Sequence, residues 1–380
     1  MILTNKKITH FCLVVGLFWF SLYIYVPIVP TYAVELGSSL FFVGVITGSY
    51  GLMQMLFRIP VGIVSDKLGT RKLFIICGIA VEAIAGITMC ISQTPVSLLV
   101  SRIFAGIAAA VWVSFSVHFS LYFKSEDGPR AMGIINAIVS CGQVFAVLLC
   151  GLVADINGKV FTFALAAVFG CVTLVLSLFI NEPEKPKKDA IKQSEQFKIN
   201  YKGNILLISL LGLLSQYIAF ATVYGFTPII AKSLKANDFQ ESMLITLFIS
   251  PAIISSLLIG KLNKKFGGRK VLSVCFIIFA LDCLLTPFAG GITVLFIITI
   301  IGGFAQGIIF SMLMGYIVKL VSPEKRNTVM GFYQAVYGLG MFLGPLIVGV
   351  FSNYISIAWG FVFTSLIGFT AAGLSLKVPK

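Results

Sequence analysis

Apolar residues dominate this sequence in runs that are long enough to cross a membrane. A transmembrane helix needs roughly 20 apolar residues in a row, and we count twelve such runs, separated by short breaks that contain charged residues, Gly, Pro or Asn. They cover residues 8–34, 40–64, 73–93, 96–123, 130–154, 159–181, 203–231, 241–262, 271–289, 292–320, 328–351 and 355–377. The pattern predicts an all-α membrane protein with twelve transmembrane helices.

Composition agrees with this prediction and argues against other classes of protein. Of the 380 residues, 58% are hydrophobic and only 11% are charged, a balance that soluble domains do not show. The eight cysteines all lie in apolar runs, without C-x-x-C spacing or a nearby His cluster, so we expect no disulfide, no metal and no cofactor. No G-x-S-x-G, H-E-x-x-H or Walker-type loop occurs, so we do not expect an enzyme.

The net charge of +14 is distributed unevenly between the two sides of the predicted membrane. When the breaks are counted alternately, 23 of the 28 Lys and Arg residues fall on one side. The other side receives Lys159, Lys232 and Lys235, while Arg58 and Arg102 lie within helices. This is the positive-inside pattern. It predicts a multi-pass protein of the plasma membrane, surrounded by lipid, with both termini and the central loop in the cytoplasm, and it argues against nucleic acid as a partner.

The sequence repeats itself in two halves. A shift of 198 residues superimposes identical residues at many positions. The matched pairs are Pro30 and Pro228, Gly62 and Gly260, Gly69 and Gly267, Arg71-Lys72 and Arg269-Lys270, Met132-Gly133 and Met330-Gly331, Gly142 and Gly340, and Gly151 and Gly349. We therefore predict two pseudo-symmetric six-helix bundles, residues 1–181 and 203–380, joined by a Lys-rich cytoplasmic linker at 182–202. Parallel repeats of this kind occur in one large class of secondary transporters.

A loop motif after predicted helix 2 is the most specific signal in the chain. It reads Gly62-Ile-Val-Ser-Asp66-Lys-Leu-Gly69-Thr-Arg71-Lys72, and the loop after helix 8 repeats it as Gly260-Lys-Leu-Asn-Lys264-Lys-Phe-Gly267-Gly-Arg269-Lys270. In this motif the sequence resembles the Major Facilitator Superfamily. The resemblance implies that the chain has the fold of that superfamily. Glycines at these positions allow close helix approach and a tight turn, and Asp66 can pair with Arg71. The resemblance implies that the motif is a latch that closes the cytoplasmic side, whereas a solvated positive loop is the alternative.

Helices 1, 4 and 5 refine the resemblance. The end of helix 1, Pro27-Ile-Val-Pro30, resembles the drug:proton antiporter branch, and Arg102-x-x-x-Gly106 on helix 4 is similar to a pattern of the superfamily. On helix 5 that branch usually carries Gly-Pro, but this chain has Ala146-Val147. Helix 11 keeps the step, because it reads Gly340-Met-Phe-Leu-Gly344-Pro345 and continues to Gly349. Small residues at this spacing, including Gly142 and Gly151, predict tight helix packing.

Ionisable residues within apolar helices are candidates for function. From a rise of about 1.5 Å per residue, Arg58 and Glu82 lie at the same depth, which predicts a buried ion pair that stabilises the bundle or, as the alternative, handles protons. Arg102 is a candidate for binding an anionic or polar group and for tuning a nearby carboxylate; the alternative is an arginine held by backbone carbonyls. Asp282 is a candidate for proton exchange, or an acid that hydrogen-bonds to a neighbouring helix.

The resemblance implies a central cavity formed by helices 1, 4, 7 and 10. Aromatic and amide side chains on these helices and on helix 11 suit an amphipathic organic solute. The candidates are Trp19, Tyr23, Trp112, Ser116, Gln216, Tyr217, Tyr224, Gln306, Tyr333 and Gln334; the alternative for each is contact with lipid or packing between helices.

Together these features predict a secondary transporter that moves a small organic solute by alternating access and that functions as a monomer. Proton-coupled export is the preferred mode because of helix 1. Uptake or uniport of a nutrient is the first alternative, because helix 5 lacks the proline. A membrane sensor that does not transport is the second.

Overall fold

The computed structural model describes residues 6–123, 127–182, 203–321 and 326–379. Within these ranges it is helical, and eleven of its helices are long and apolar enough to span a membrane, with a bent pair of helices as the twelfth span. The predicted all-α, twelve-helix architecture is confirmed. Most of the predicted linker, residues 183–202, lies outside the described residues.

The first six spans are α1 to α6. Their ranges are Lys6–Glu35 for α1, Leu40–Leu68 for α2, Lys72–Ile91 for α3, Pro95–Ser120 for α4, Arg130–Asn157 for α5 and Lys159–Leu178 for α6. In α1 a 3-10 turn at Val26–Ile28 interrupts the helix. Pro27 lies in this turn, and Pro30 lies in the first turn of the next segment, Val29–Glu35. Proline is tolerated in a first turn because the backbone N–H that it lacks would have no partner within the helix.

The second six spans are α7 to α12. Their ranges are Gly203–Ser233 for α7, Asp238–Ser256 for α8, Gly268–Leu285 for α9, Ile292–Leu320 for α10, Arg326–Tyr354 for α11 and Ile357–Ser375 for α12. After α8 the chain bends by 62° into a short helix, Ile259–Phe266. The predicted run 241–262 therefore contains a bend, which follows Pro251 and Ser255, residue types at which helices often kink.

Short outer turns are fixed by side-chain caps. Ser39 accepts from the backbone of Phe42 at the start of α2, and Thr94 forms a capping box with Ser97 at the start of α4. Asn237 caps α8 in the same way. Each cap satisfies a backbone N–H that a helix start leaves unpaired.

The two halves contact each other closely through their outer parts. Gly48 of α2 packs on the backbone of Phe342 in α11, and Gly151 of α5 packs on Phe239 in α8. A side chain at Gly133 or Gly331, near the cytoplasmic ends of α5 and α11, would meet open space instead. The structure is therefore closed on its outer side, and we call this arrangement outer-closed.

Candidate functional site

A small aromatic cavity lies at the centre of the molecule, between the halves. Helices α1, α2 and α4 of the first half and α7 of the second half contribute its walls. The lining residues are Leu22, Tyr23, Val26, Val29, Thr47, Tyr50, Arg102, Phe220 and Tyr224. The enclosed space is about the size of one water molecule, so the outer-closed arrangement brings these side chains close together.

Aromatic contacts across the cavity join the two halves. The ring of Tyr50 stacks on Phe220 with centroids 6.1 Å apart, and Phe220 lies 4.9 Å from Tyr224. Aromatic faces can also receive planar organic groups, so the same side chains offer stacking surfaces to a solute when the halves separate.

Arg102 is the charged residue of this cavity. It is 3% exposed, and its guanidinium carbon lies 4.6 Å from the centre of the Tyr50 ring. Among the described residues, its Nε and Nη1 atoms have no hydrogen-bond partner. A buried cation over an aromatic face is stabilised by the ring, so the arginine is held by a tyrosine and retains donors that can bind another group.

Glu82 of α3 is fully buried. Its Oε1 accepts from the hydroxyl of Tyr25 in α1 at 3.5 Å. Its Oε2 has no hydrogen-bond partner in the described part of the chain. The positive charge of Arg102 interacts electrostatically with both Glu82 and Tyr25. These three residues, which we call the buried polar cluster, belong to three different helices of the first half.

The predicted ion pair between Arg58 and Glu82 does not form among the described residues. Arg58 Nη1 donates to the hydroxyl of Tyr337 at 3.0 Å, and Nη2 donates to the carbonyl of Ala109 at 3.5 Å. Arg58 faces α11 and α4 rather than α3. Its bond to Tyr337 is a direct link between the halves.

Asp282 is a buried acid of the second half, in α9. It is 5% exposed, and its carboxylate packs beside Gly302 of α10, where a Cβ would approach Oδ1 to 2.6 Å. Gly368 packs on Ala280 as Gly170 packs on Ala83, and Gly303 packs on Phe248 as Gly106 packs on Tyr50. In α9 and α10 the halves are therefore offset by one residue less than the 198-residue shift, and Phe279 and Thr299 stand at the positions equivalent to Glu82 and Arg102. The second half therefore has no copy of the buried polar cluster at these positions.

The other cavity candidates occupy several different places. Tyr23 and Tyr224 line the cavity, and Trp19 contacts both Tyr23 and Trp112. Gln306 accepts from Ser215 at 2.8 Å within the second half. The remaining candidates are in packed or largely buried positions: Tyr217, Tyr333, Gln216 and Gln334 are at most 8% exposed, and Ser116 donates to its own helix at Val113.

Tyr25, Tyr50 and Phe220 were missed by the sequence reasoning. Tyr50 lies on α2, a helix that the predicted cavity did not include. Phe220 was overlooked between Tyr217 and Tyr224, which share its helix. The aromatic enrichment of these helices could have indicated that their rings line a cavity. It could not show which rings do so, because that depends on the rotation of each helix about its axis.

The cytoplasmic loop motif forms a compact turn in the first half. Arg71 pairs with Asp66 and donates to Ser65 Oγ, and Lys72 donates to the carbonyl of Leu178 at 2.7 Å. Gly69 has a φ of +64°, a conformation that glycine adopts without strain. These contacts hold the turn against its own half in the outer-closed arrangement.

The second copy of the motif is built differently. Gly267 also has a positive φ of +79°, but Arg269 donates to the carbonyl of Val378 at the end of the chain. At Gly260 a Cβ would meet open space. The second motif, which has Lys264 at the position of Asp66, therefore makes different contacts from the first.

The helix-packing candidates contact neighbouring backbones closely. Gly106 approaches Tyr50, Gly142 approaches Gly16 and Gly349 approaches Gly44. Further contacts of this kind join Gly340 to Leu213, Gly344 to Tyr217 and Pro345 to Gly44. Backbones this close leave no space for a side chain at the glycine positions.

Comparison with known proteins decides the family. The model of the Major Facilitator Superfamily matches residues 11–228 and 208–380. The chain belongs to the Major Facilitator Superfamily. It is therefore a transport protein rather than an enzyme, and a multi-pass integral protein of the plasma membrane.

Several relatives are similar over nearly the whole chain. The MFS-type transporter MJ1560 of Methanocaldococcus jannaschii is 25% identical, over 93% of each chain. The quinolone resistance protein NorA of Staphylococcus aureus is 23% identical, covering 91% of this chain and 89% of NorA. Multidrug resistance protein 1 of Bacillus subtilis is 25% identical, covering 98% of this chain and 96% of the relative.

Solved structures show the same fold. A bacterial homologue of the lysosomal transporter Spinster, in an inward-facing and occupied conformation, has a TM-score of 0.82 at 16% identity and covers 100% of this chain and 97% of its own. A D-xylose–proton symporter has a TM-score of 0.81 at 13% identity and covers 99% and 98%.

Proposed function

We propose that this transporter exports amphipathic organic molecules in exchange for protons, and that Glu82 carries the proton. Two of its relatives are named for resistance to quinolones or to several drugs, which supports export. The cavity between the halves, with several aromatic rings and one arginine, supports a planar or amphipathic solute.

The observation that carries the proposal is the buried polar cluster. Glu82 is fully buried and one of its carboxyl oxygens has no hydrogen-bond partner among the described residues. An ionised carboxylate in such a place is costly unless a cation faces it. Arg102 is the nearby cation, but in the outer-closed arrangement it stacks on Tyr50.

Coupling follows from this shared arginine. When Arg102 turns toward Glu82, it stabilises the ionised carboxylate and favours release of the proton. When Arg102 is engaged by the Tyr50 ring, Glu82 favours the neutral acid. A solute that stacks on the Tyr50 ring displaces Arg102 toward Glu82 and so favours release of the proton. Solute and proton thus compete through one side chain, which is the requirement for exchange.

The cavity also supports function as a monomer. Its walls come from both halves of a single chain, so one molecule contains a complete pathway, with residues 1–181 and 203–380 as the two moving units. Lipid then surrounds the bundle without supplying part of the site.

Uptake is the second candidate, and the helix 5 sequence favours it. The drug:proton antiporter branch that the chain resembles usually has a Gly-Pro step where this chain has Ala146 and Val147. The direction of net transport under a proton gradient separates the two candidates.

The test uses purified protein in liposomes with ethidium as the transported probe. We expect an imposed pH gradient to drive ethidium accumulation by the parent chain, and Glu82→Gln to abolish this while ethidium exchange without a gradient continues. Asp282→Asn is the matched control, because it removes a buried acid of the other half; it should retain gradient-driven transport.

The opposite results would refute the proposal. If Glu82→Gln retained gradient-driven accumulation, Glu82 would not carry the proton. If the parent chain moved solute only down the solute gradient, the transporter would be a uniporter.

A further inference from the structure

Charged residues gather at the outer surface where the two halves meet. They come from α1, α5 and α6 of the first half and from α7 and α8 of the second. We call them the outer charge cluster: Glu35, Asp155, Lys159, Lys232, Asp238 and Glu241.

Lys159 reaches from the first half across the boundary. Its Nζ lies 2.5 Å from Glu35 in its own half and 3.4 Å from Oδ1 of Asp238 in the other. Its side chain is only 7% exposed. Asp155, at the end of α5, accepts from the backbone N–H of Asp238 at 2.9 Å. Glu35, Lys159 and Asp155 of the first half are thereby linked to the start of α8.

A second link across the boundary lies deeper. Thr31 of α1 donates to Oε2 of Glu241 in α8 at 2.8 Å, and the Glu241 side chain is fully buried. Lys232, at the end of α7, lies 3.0 Å from Glu241 and 2.9 Å from Asp238. Lys232 therefore holds both acids in place within the second half, while Lys159 and Thr31 bind them from the first.

Outward opening must separate these partners. The contacts from Lys159 to Asp238 and from Thr31 to Glu241 join the two halves at the outer surface, so they cannot persist when the outer ends of the halves move apart. Separating a largely buried ion pair leaves uncompensated charge until water reaches it. The contacts of Lys232 stay within one half and can survive the movement.

We infer that the outer charge cluster is an ion-pair lock that holds the outer side closed, with Lys159 and Asp238 as its central pair. The cluster places the lock on the face opposite to the cytoplasmic loop motif. The lock sets the balance between the outer-closed and outer-open arrangements and is independent of which solute or coupling ion is used.

The experiment measures the outer distance between the halves directly. Spin labels are attached at Gln93→Cys and Gly290→Cys, exposed positions on outer turns of the first and second halves, in a full-length chain whose eight native cysteines are replaced. Pulsed electron spin resonance in lipid nanodiscs then gives the distance distribution. Lys159→Gln is the principal variant, and Lys235→Gln is its matched control, because Lys235 is an exposed lysine on the α7–α8 turn.

For Lys159→Gln we expect a new population at longer distance, with the ratio of outer-open to outer-closed molecules rising on the order of tenfold. Lys235→Gln should leave the distribution unchanged. Thr31→Val should shift the distance distribution in the same direction by a smaller factor. If Lys159→Gln does not insert into the membrane, the Thr31→Val result tests the lock instead. Asp238→Asn should have less effect in the Lys159→Gln background than alone, because the shared pair is already lost.

Three outcomes would overturn the inference. The first is that both Lys159→Gln and Thr31→Val leave the parent distribution unchanged. The second is that Lys235→Gln shifts it as much as Lys159→Gln does. The third is that the effects of Lys159→Gln and Asp238→Asn are additive, which would mean that the two residues do not act as a pair.

Discussion

Replacing Gly48 with alanine should weaken the contact between α2 and α11 that closes the outer side. A Cβ at this position would lie 2.7 Å from the carbonyl oxygen of Phe342 and 3.2 Å from its Cδ2 atom. Ordinary contact begins near 3.4 Å, so the methyl group is about 0.7 Å too close to a backbone atom. Because the oxygen belongs to the backbone of α11, the helix itself must move.

The size of the effect follows from the cost of overpacking. Forcing an extra carbon into a close-packed contact costs about 1–3 kcal/mol. If the strain exists only when the outer side is closed, the same free energy shifts the balance toward outer-open molecules by roughly 5- to 150-fold. Alanine also favours helix over glycine by up to about 1 kcal/mol, but this gain applies to both arrangements and cancels.

The assay is the reaction of a single cysteine with a membrane-impermeant maleimide added from outside. Val29→Cys serves as the reporter in a background without native cysteines, because Val29 lines the central cavity and is 2% exposed. Gly48→Ala should accelerate the labelling at least about fivefold. Gly331→Ala is the matched control, since its Cβ meets open space in the outer-closed structure, and it should not accelerate the reaction. Equal rates in Gly48→Ala and the parent, or an equal rise in Gly331→Ala, would refute the reasoning.

Three further predictions concern buried polar contacts. Tyr337→Phe removes the acceptor that Arg58 uses at 3.0 Å and should destabilise the protein by about 1–3 kcal/mol; an unchanged thermal unfolding midpoint in detergent would contradict this. Gln306→Leu leaves the hydroxyl of Ser215 without its acceptor and should lower the same midpoint, whereas adding Ser215→Ala should recover part of the loss. Arg102→Lys keeps the charge but loses the planar contact with the tyrosine ring of α2; it should leave the ring freer and tighten ethidium binding, measured by fluorescence titration, and unchanged affinity would exclude a role for the stack.

The fold followed from the sequence because hydrocarbon imposes strong rules on a chain. Each span must satisfy its own backbone, so apolar length alone predicts a helix. The irregular points were harder to anticipate. The 62° bend after α8 falls inside a run that reads as continuous, whereas α2 contains Pro60 and remains one helix from Leu40 to Leu68.

The buried charges show where sequence reasoning reached its limit. Depth in the membrane follows from residue counting, and it placed Arg58 and Glu82 at similar levels. Which partner each one meets depends on the rotation of its helix and on the neighbours that pack there. Arg58 therefore contacts Tyr337 of the other half, and Glu82 meets Tyr25 and Arg102.

The outer charge cluster illustrates the same limit at the surface. Positive charges were rare on the outer side, and two of the three lysines assigned there, Lys159 and Lys232, belong to the cluster. That rarity was the available signal. Their partners come from helices far apart in sequence, so only the three-dimensional arrangement brings them together.

The most direct test of proton-coupled exchange is to record both fluxes in one experiment. Liposomes containing the purified protein and an internal pH-sensitive dye receive ethidium from outside, with the membrane potential clamped by valinomycin and potassium. The account predicts that ethidium entry drives protons out in a fixed ratio, and that Glu82→Gln removes the proton signal while ethidium still exchanges. Ethidium movement with no proton movement in the parent protein would contradict it.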